Sequence, residues 1–229
     1  MIKCKLLLVC IEKNPMIVYN TGSEYSLNQK LRRFFVKGFF SQYSYGIIKM
    51  FVNQFAISIF GSVLAMATAS SGNNTLTLVV SIFAILFYLF LLYTMTWEVG
   101  AKDKISVDVG KKEYRPYVGI LMALIANIPN MIIALLYTIA YPFMHIAGSW
   151  AVNVAAGARI AAIITEGMYL GATSVISIGE LTLRDYWWTY FLIIVPALIT
   201  CGVAYFLGHK NFRFFGVITQ RKSDNKNKK

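Results

Sequence analysis

Three long stretches of the chain contain no Asp, Glu, Lys or Arg, and they constrain its fold more than any other feature. They are Leu76–Trp97 with 22 residues, Tyr117–Tyr141 with 25 and Trp187–Leu207 with 21. An α-helix needs about 20 apolar residues to cross the hydrocarbon core of a bilayer. The stretches therefore predict three transmembrane helices, at 76–97, 117–141 and 187–207.

A fourth span is predicted at 45–69, where the only charge is Lys49, in the first turn, whose long side chain can extend to the headgroups. With 57% hydrophobic and 14% charged residues, the chain departs from soluble domains, which are about 25% charged. We expect an all-α fold: a polytopic integral membrane helical bundle with four transmembrane helices. Aromatic residues that suit the membrane interface lie at the ends of the runs: Tyr45, Trp97, Tyr117, Tyr141, Trp187 and Trp188.

The segment 150–179 is too apolar for a solvated loop, and its pattern is amphipathic at the helical period. We interpret it as an amphipathic or re-entrant external helix. The alternative is that it crosses the membrane, for a total of five or six spans. One side of this helix carries the polar and small residues Ala155, Arg159, Ala162, Glu166 and Thr173.

The distribution of charge predicts the orientation. Of the 22 Lys and Arg residues, 19 lie in residues 1–44, in the linker 98–116 or after residue 208, and two lie in 142–186. Because basic residues concentrate on the cytoplasmic side, both termini are expected to be cytoplasmic. The net charge of +12 then follows from topology, so no nucleic-acid partner is expected.

The predicted organisation has three parts. Residues 1–44 form a cytoplasmic N-terminal segment with a basic amphipathic helix that starts at Ser26, where Ser26 and Gln29 suggest a capping box. Residues 45–208 form the transmembrane bundle, and 209–229 form a basic cytoplasmic tail. Both termini are expected to contact anionic lipid. Met16 is a second candidate for the true start, and the linker Glu98–Pro116 is predicted to be a loop with a short hairpin or an extended strip.

The third predicted span has a polar, small face that should point into the bundle, because small and polar side chains hold helices together in lipid. Pro129, between Asn127 and Asn130, predicts a kink and a freed carbonyl near mid-membrane. The asparagines either satisfy the kink and pair with Asn53 of the first span, or coordinate a cation or polar solute there.

Arg159 and Glu166 complete the candidate polar intramembrane site, which comprises Asn53, Asn127, Asn130, Arg159 and Glu166. Seven residues on an ideal helix separate the arginine and the glutamate by about 10.5 Å, too far for an ion pair. Each is therefore expected to have a different partner. Ionisable groups at membrane depth are costly and are functional candidates for that reason.

The histidines and cysteines offer no catalytic centre. The chain has three cysteines, none in a CxxC motif, and two histidines that are 64 residues apart, so no metal, cofactor or enzymatic activity is expected. The leading hypothesis is a non-enzymatic membrane accessory, scaffold or assembly component. The alternative is a small transporter, or the membrane subunit of a transporter, with a polar pathway around Asn127 and Asn130. A homo-oligomer or a partner membrane subunit is expected, since four spans are few for a self-contained secondary transporter.

Overall fold

The computed structural model describes residues 21–144 and 149–212, with side chains from Gly38 to Met144 and from Trp150 to Phe212. By its internal contacts the chain divides into two units, Met1–Gln42 and Tyr43–Lys229. The described part of the first unit is helical from Thr21, and its Phe39 and Phe40 rings meet edge to face. The polar face predicted for the N-terminal helix and most of the basic tail lie outside the described side chains.

The described part of the chain is mostly helical, as predicted. Two short strands, β1 (Ser177–Ile178) and β2 (Leu181–Thr182), pair antiparallel. Short 3-10 segments cover Tyr141–Phe143, Gly167–Tyr169 and Leu183–Asp185. The α-helices are α1 (Thr21–Ala69), α2 (Asn74–Asp108), α3 (Val118–Ala126), α4 (Ile128–Ala140), α5 (Ser149–Glu166), α6 (Leu170–Val175) and α7 (Thr189–His209).

Several described helices are long and apolar enough to cross a membrane, so the prediction of a multi-pass membrane protein is confirmed. Four qualify singly: Gly38–Ala69, Asn74–Asp108, Trp150–Val175 and Thr189–His209. The pair Val118–Ala126 and Ile128–Phe143 qualifies as a fifth span when its two helices, which meet at 57°, are taken together. Length and composition thus allow four or five crossings.

The linker prediction was wrong, because α2 continues to Asp108 where a hairpin or extended strip was expected. Glu98 and Lys102 stabilise this extension as an ion pair one helical turn apart, at 2.7 Å. Asp103 is buried within the same stretch, so tertiary contacts override the alternation of apolar residues. At the other end of the chain, α1 begins at Thr21, five residues before the predicted start.

Helices α2 and α7 run parallel and in close contact. A Cβ added to Gly100 would overlap the backbone of Tyr205, and one added to Gly208 would overlap the backbone of Trp97. Without a hydrophobic force between helices in lipid, such backbone approach at small residues is a main source of association. Glycine is therefore required at both positions.

Helix α1 runs antiparallel to α2. Tyr43 of α1 bonds to Asp103 of α2, while further along α1 the side chain of Asn53 reaches Met95. Helices α3 and α4 together run antiparallel to α7: Gly119 lies against Cys201 and Tyr205, and the Tyr137 ring lies 4.8 Å from that of Tyr190. We call the end of the bundle at Asp103 and Tyr205 the Asp103 end, and the opposite end, at Tyr137 and Tyr190, the Tyr190 end.

Candidate functional site

The predicted kink in the third span is confirmed, and the break between α3 and α4 is at Asn127. The Asn127 backbone amide and side-chain Nδ2 both donate to the carbonyl of Ala123, at 3.0 and 2.9 Å. Pro129 lies in the first turn of α4, where a backbone donor has no partner within the helix. Asn127 thus satisfies the end of α3 with its own side chain.

Asn127 and Asn130 are brought together, as the sequence indicated. Nδ2 of Asn130 donates to Oδ1 of Asn127 at 3.1 Å, and both residues are buried. The expected pairing of Asn53 with these asparagines was wrong: its Nδ2 donates to the sulfur of Met95, because that face of α1 packs against α2. Oδ1 of Asn130 has no hydrogen-bond partner among the described residues.

A second break, between α5 and α6, follows Glu166 directly. There the 3-10 segment Gly167–Tyr169 interrupts the α-helical hydrogen bonding. The hydroxyls of Ser58 and Ser62 donate to the carbonyl of Ile163, at 3.3 and 2.8 Å, and the amide of Gly167 donates to the hydroxyl of Ser58. Because lipid offers no hydrogen bonds, irregular backbone at membrane depth needs such protein partners.

Helix α2 supports the same break from its other side. The hydroxyl of Ser81 donates to the carbonyl of Met168 at 3.0 Å and accepts from the amide of Ala172 at 2.9 Å. A Cβ on Gly171 would press against Ser81 and Thr77. These supporting serines were not predicted, although Ser58 and Ser62 lie one helical turn apart in an apolar span.

Glu166 is 4% exposed, and neither of its carboxylate oxygens has a hydrogen-bond partner among the described residues. The partner expected for it elsewhere is thus not found among the described residues. A buried carboxylate that lacks partners is destabilising, so it requires an explanation outside the stability of the fold. Glu166 lines a small, partly open cleft together with Arg159, Tyr169, Thr173, Arg184 and Tyr190, and with apolar side chains.

Arg159 lines the same cleft, but its charge is already compensated. Its guanidinium donates to Oδ1 of Asp185 and to the hydroxyl of Tyr137, each at 2.8 Å. Burial on its own would raise the pKa of Asp185, but hydrogen bonds from Thr182 and the charge of Arg159 lower it below the ordinary 3.8. Arg159 and Glu166 make no direct ion pair, as their spacing predicted.

A separate polar cluster lies at the Asp103 end. Oδ2 of Asp103 accepts from the hydroxyls of Tyr43 and Tyr205, at 2.5 and 2.9 Å, and Oδ1 pairs with Nζ of Lys112 at 3.0 Å. We call these four residues the Asp103 cluster. It joins α1, α2 and α7 to the loop after α2. The cluster was not predicted, because Asp103 lies among other charges in the linker.

Of the five predicted site residues, Asn127 and Asn130 form one pair, Arg159 and Glu166 line one cleft, and Asn53 belongs to neither group.

Comparison of the chain with protein-family models, with curated proteins and with solved structures finds no match.

Proposed function

We propose that the chain is a small transporter, or the membrane subunit of one, in which Glu166 binds a proton or the cationic group of a small solute. The observation that carries this proposal is the buried Glu166 carboxylate, unpartnered among the described residues, at the break between α5 and α6. Interrupted helices at membrane depth are a recurring way to build ion and substrate sites in transporters. The proposed polar pathway therefore centres on Glu166, with the pair Asn127 and Asn130 as its second polar group.

The proposal includes a topology of four crossings, by α1, α2, the bent pair α3 and α4, and α7. Contacts support a full crossing by the bent pair, which extends from Cys201 to Tyr190 along α7. With four crossings both termini lie on one side. The concentration of basic residues at both termini and in the linker supports a cytoplasmic location for that side. The Asp103 end of the bundle then faces the cytoplasm.

In this topology α5 and α6 form a re-entrant segment that enters from the outer side and turns at the level of Gln54 and Ser58 of α1. The contacts at both ends of the segment support this: Trp150 packs on Phe143 at the end of α4, and Gly171 lies against Thr77 near the start of α2. Between them, Arg159 bonds to Tyr137 at the Tyr190 end. A reporter fused after Lys229 is expected on the cytoplasmic side, and an external signal would contradict this topology.

Ion flux tests the role of Glu166. The full chain is reconstituted into liposomes that contain a pH-sensitive dye, and a K⁺ diffusion potential, negative inside, drives protons inward. We expect a flux above that of protein-free liposomes, which Glu166→Gln reduces to the protein-free level. The matched control is Glu180→Gln, since Glu180 is an exposed residue in the β1–β2 turn. Equal flux in wild type and Glu166→Gln would contradict the proposal.

Carbodiimide labelling provides a test that needs no partner subunit. Hydrophobic carbodiimides modify protonated carboxyl groups at membrane depth, and peptide mass spectrometry identifies the modified residue. We expect Glu166 to be modified, and a bound cation such as methylammonium to slow the reaction. Modification at a rate independent of every cation tested would contradict a cation site.

The second candidate function is a membrane accessory, scaffold or assembly component without transport. The close contact of α2 with α7 at Gly100 and Gly208 favours it, because such packing suits a static structural role. A protein of this kind is expected to give no flux and to co-purify with a second membrane subunit or with another copy of itself. Glu166→Gln would then leave that assembly intact.

A further inference from the structure

The hydroxyl of Tyr169 is a second buried polar group beside Glu166. Tyr169 is 8% exposed, and its hydroxyl, like both carboxylate oxygens of Glu166, has no hydrogen-bond partner among the described residues. Tyr169 follows Glu166 by three residues and ends the 3-10 segment Gly167–Tyr169. Side chains three residues apart on a 3-10 helix lie one above the other. The local geometry therefore places both side chains on one side of the break, and both line the same cleft.

The other hydroxyls of the cleft are already used. The Tyr190 hydroxyl donates to the carbonyl of Arg184 at 3.2 Å, and the Thr173 hydroxyl donates to the carbonyls of Tyr169 and Leu170 within its own segment. A backbone acceptor thus holds each of these two hydroxyl protons. Among the described residues that line the cleft, only Tyr169 has a hydroxyl that is free to bind a further molecule.

The cleft has room for about one water molecule. The centre of a water molecule can occupy about 20 Å³ of it. A site needs about 10–15 Å³ of such space, and roughly two to four polar partners, to hold a water. The oxygens of Glu166 and Tyr169 supply the partners. Because the cleft is partly open, a water in it can exchange protons with the solvent.

We propose that the cleft binds one water molecule between the carboxyl of Glu166 and the hydroxyl of Tyr169, and that this water carries protons between Glu166 and the solvent. The inference rests on the transport function proposed above, with the proton as the ion. On release, the O–H bond of the Glu166 carboxyl breaks and its proton joins the water, which gives up a proton to the solvent. The water ends as it began, Glu166 ends as a carboxylate, and uptake is the reverse.

The Tyr169 hydroxyl suits a positioning role in both states of Glu166, because a tyrosine hydroxyl can donate or accept a hydrogen bond. The protonated carboxyl donates to the water, which then donates to Tyr169. The carboxylate accepts from the water, which then accepts from Tyr169. Both polar ends are buried in this conformation, so a rotation of the Glu166 side chain toward the cleft precedes the transfer.

The remaining charges at the cleft favour rapid passage of the proton. They are Arg159, which is paired with Asp185, and Arg184. Guanidinium groups are always protonated, and like charges repel, so a hydronium ion in this cleft is less favourable than a neutral water. The proton is therefore expected to rest on Glu166 or in the solvent, and to spend little time on the water.

Proton flux into the liposomes described above tests the role of Tyr169. Tyr169→Phe removes only the hydroxyl, and the matched control is Tyr117→Phe, at an exposed tyrosine. A positioned group contributes about 10²–10⁴-fold to a proton transfer. Since a second water can replace the hydroxyl in part, we expect Tyr169→Phe to reduce the flux at least about tenfold. Tyr117→Phe should conduct as wild type does.

Two further measurements distinguish this role from a structural one. Loss of a hydroxyl that has no partner among the described residues should change the unfolding midpoint little. Glu166 keeps its carboxyl in Tyr169→Phe, so a hydrophobic carbodiimide should still modify it. An unfolding midpoint well below that of Tyr117→Phe would show that the hydroxyl supports the fold, and would overturn the role proposed for it.

The outcomes separate this inference from the proposed function. If Glu166→Gln abolishes the flux but Tyr169→Phe conducts as wild type does, the water site is overturned while the cation site at Glu166 stands. If Glu166→Gln conducts as wild type does, both are overturned. If wild type gives no flux above that of protein-free liposomes, the proton route is overturned, and carbodiimide labelling decides the role of Glu166 separately.

Discussion

The backbone amide of Gly167, at the break after α5, donates a hydrogen bond to the side-chain hydroxyl of Ser58 on α1. A serine in an apolar span thereby replaces the backbone acceptor that a continuous helix would supply. The same hydroxyl donates to the carbonyl of Ile163, so one side chain serves both sides of the break.

Ser58→Ala is expected to destabilise the protein. It removes the acceptor of the buried Gly167 amide, whereas the Ile163 carbonyl keeps the Ser62 hydroxyl as a donor. An unsatisfied buried group costs about 1–3 kcal/mol. Unfolding in a detergent titration measures the change. Thr94→Ala is the control, because the Thr94 hydroxyl is exposed and bonds only within its own helix. Equal stability of the two variants would show that Ser58 does not support the break.

Gly167→Ala is expected to destabilise the protein more than Gly157→Ala. A Cβ at Gly167 would collide with Ser58 and Ser62, whereas one at Gly157 meets no atom within 4 Å. Because Gly157 lies in the interior of α5, its replacement by alanine should stabilise the helix by up to about 1 kcal/mol. The two variants are therefore expected to shift the unfolding midpoint in opposite directions, and a shift in the same direction would contradict the packing at the break.

Glu166→Met is expected to stabilise the protein while it abolishes cation binding. Methionine has a similar length and removes a buried carboxylate that lacks partners among the described residues. We expect the free energy of unfolding to rise by about 1–3 kcal/mol, the typical cost of an unsatisfied buried group. A fall in the free energy of unfolding would indicate that the carboxylate has a stabilising partner. The control is Glu180→Gln, at an exposed residue.

Tyr205→Phe tests the Asp103 cluster. It removes one of two hydroxyl donors to a buried carboxylate, and a hydrogen bond to a charged group contributes about 1.5–3 kcal/mol. We expect a loss of that order in the free energy of unfolding. Tyr117→Phe, at an exposed tyrosine, should cost little. If Tyr205→Phe unfolds as wild type does, the hydroxyl contributes nothing to the cluster.

The Arg159–Asp185 pair should make stability depend on pH in the acid range. Since the folded-state pKa of Asp185 is lowered from 3.8, its contribution is fully present above that value and is lost as pH falls through the lower one. The difference in unfolding midpoint between wild type and Asp185→Asn should therefore be constant near neutral pH and shrink below about pH 4. Arg184 is the other charge nearby, so the same titration in Arg184→Gln should keep this trend.

The sequence was sufficient to predict the membrane class, the approximate positions of the long helices and the kink beside Pro129. These features depend on local patterns: uncharged runs of about 20 residues, and a proline that cannot donate. The extension of α2 to Asp108 was missed, because a buried contact between distant residues, such as Tyr43 and Asp103, leaves no local pattern.

The candidate site was only partly accessible from the sequence for the same reason. The spacing of Arg159 and Glu166 predicted correctly that they do not pair, but it contained no information on Asp185, which is 26 residues from Arg159. Nor could it predict that Glu166 would be left without a partner in the described part of the chain, since that depends on which side chains of other helices face it.

The reciprocal fit of Gly100 and Gly208 has a mechanical consequence. Because the backbone of each helix is lodged in the surface of the other, α2 and α7 cannot slide or tilt independently without steric collision. Any rearrangement that displaces one of these two helices must therefore carry the other with it, so the pair is expected to move as one rigid unit.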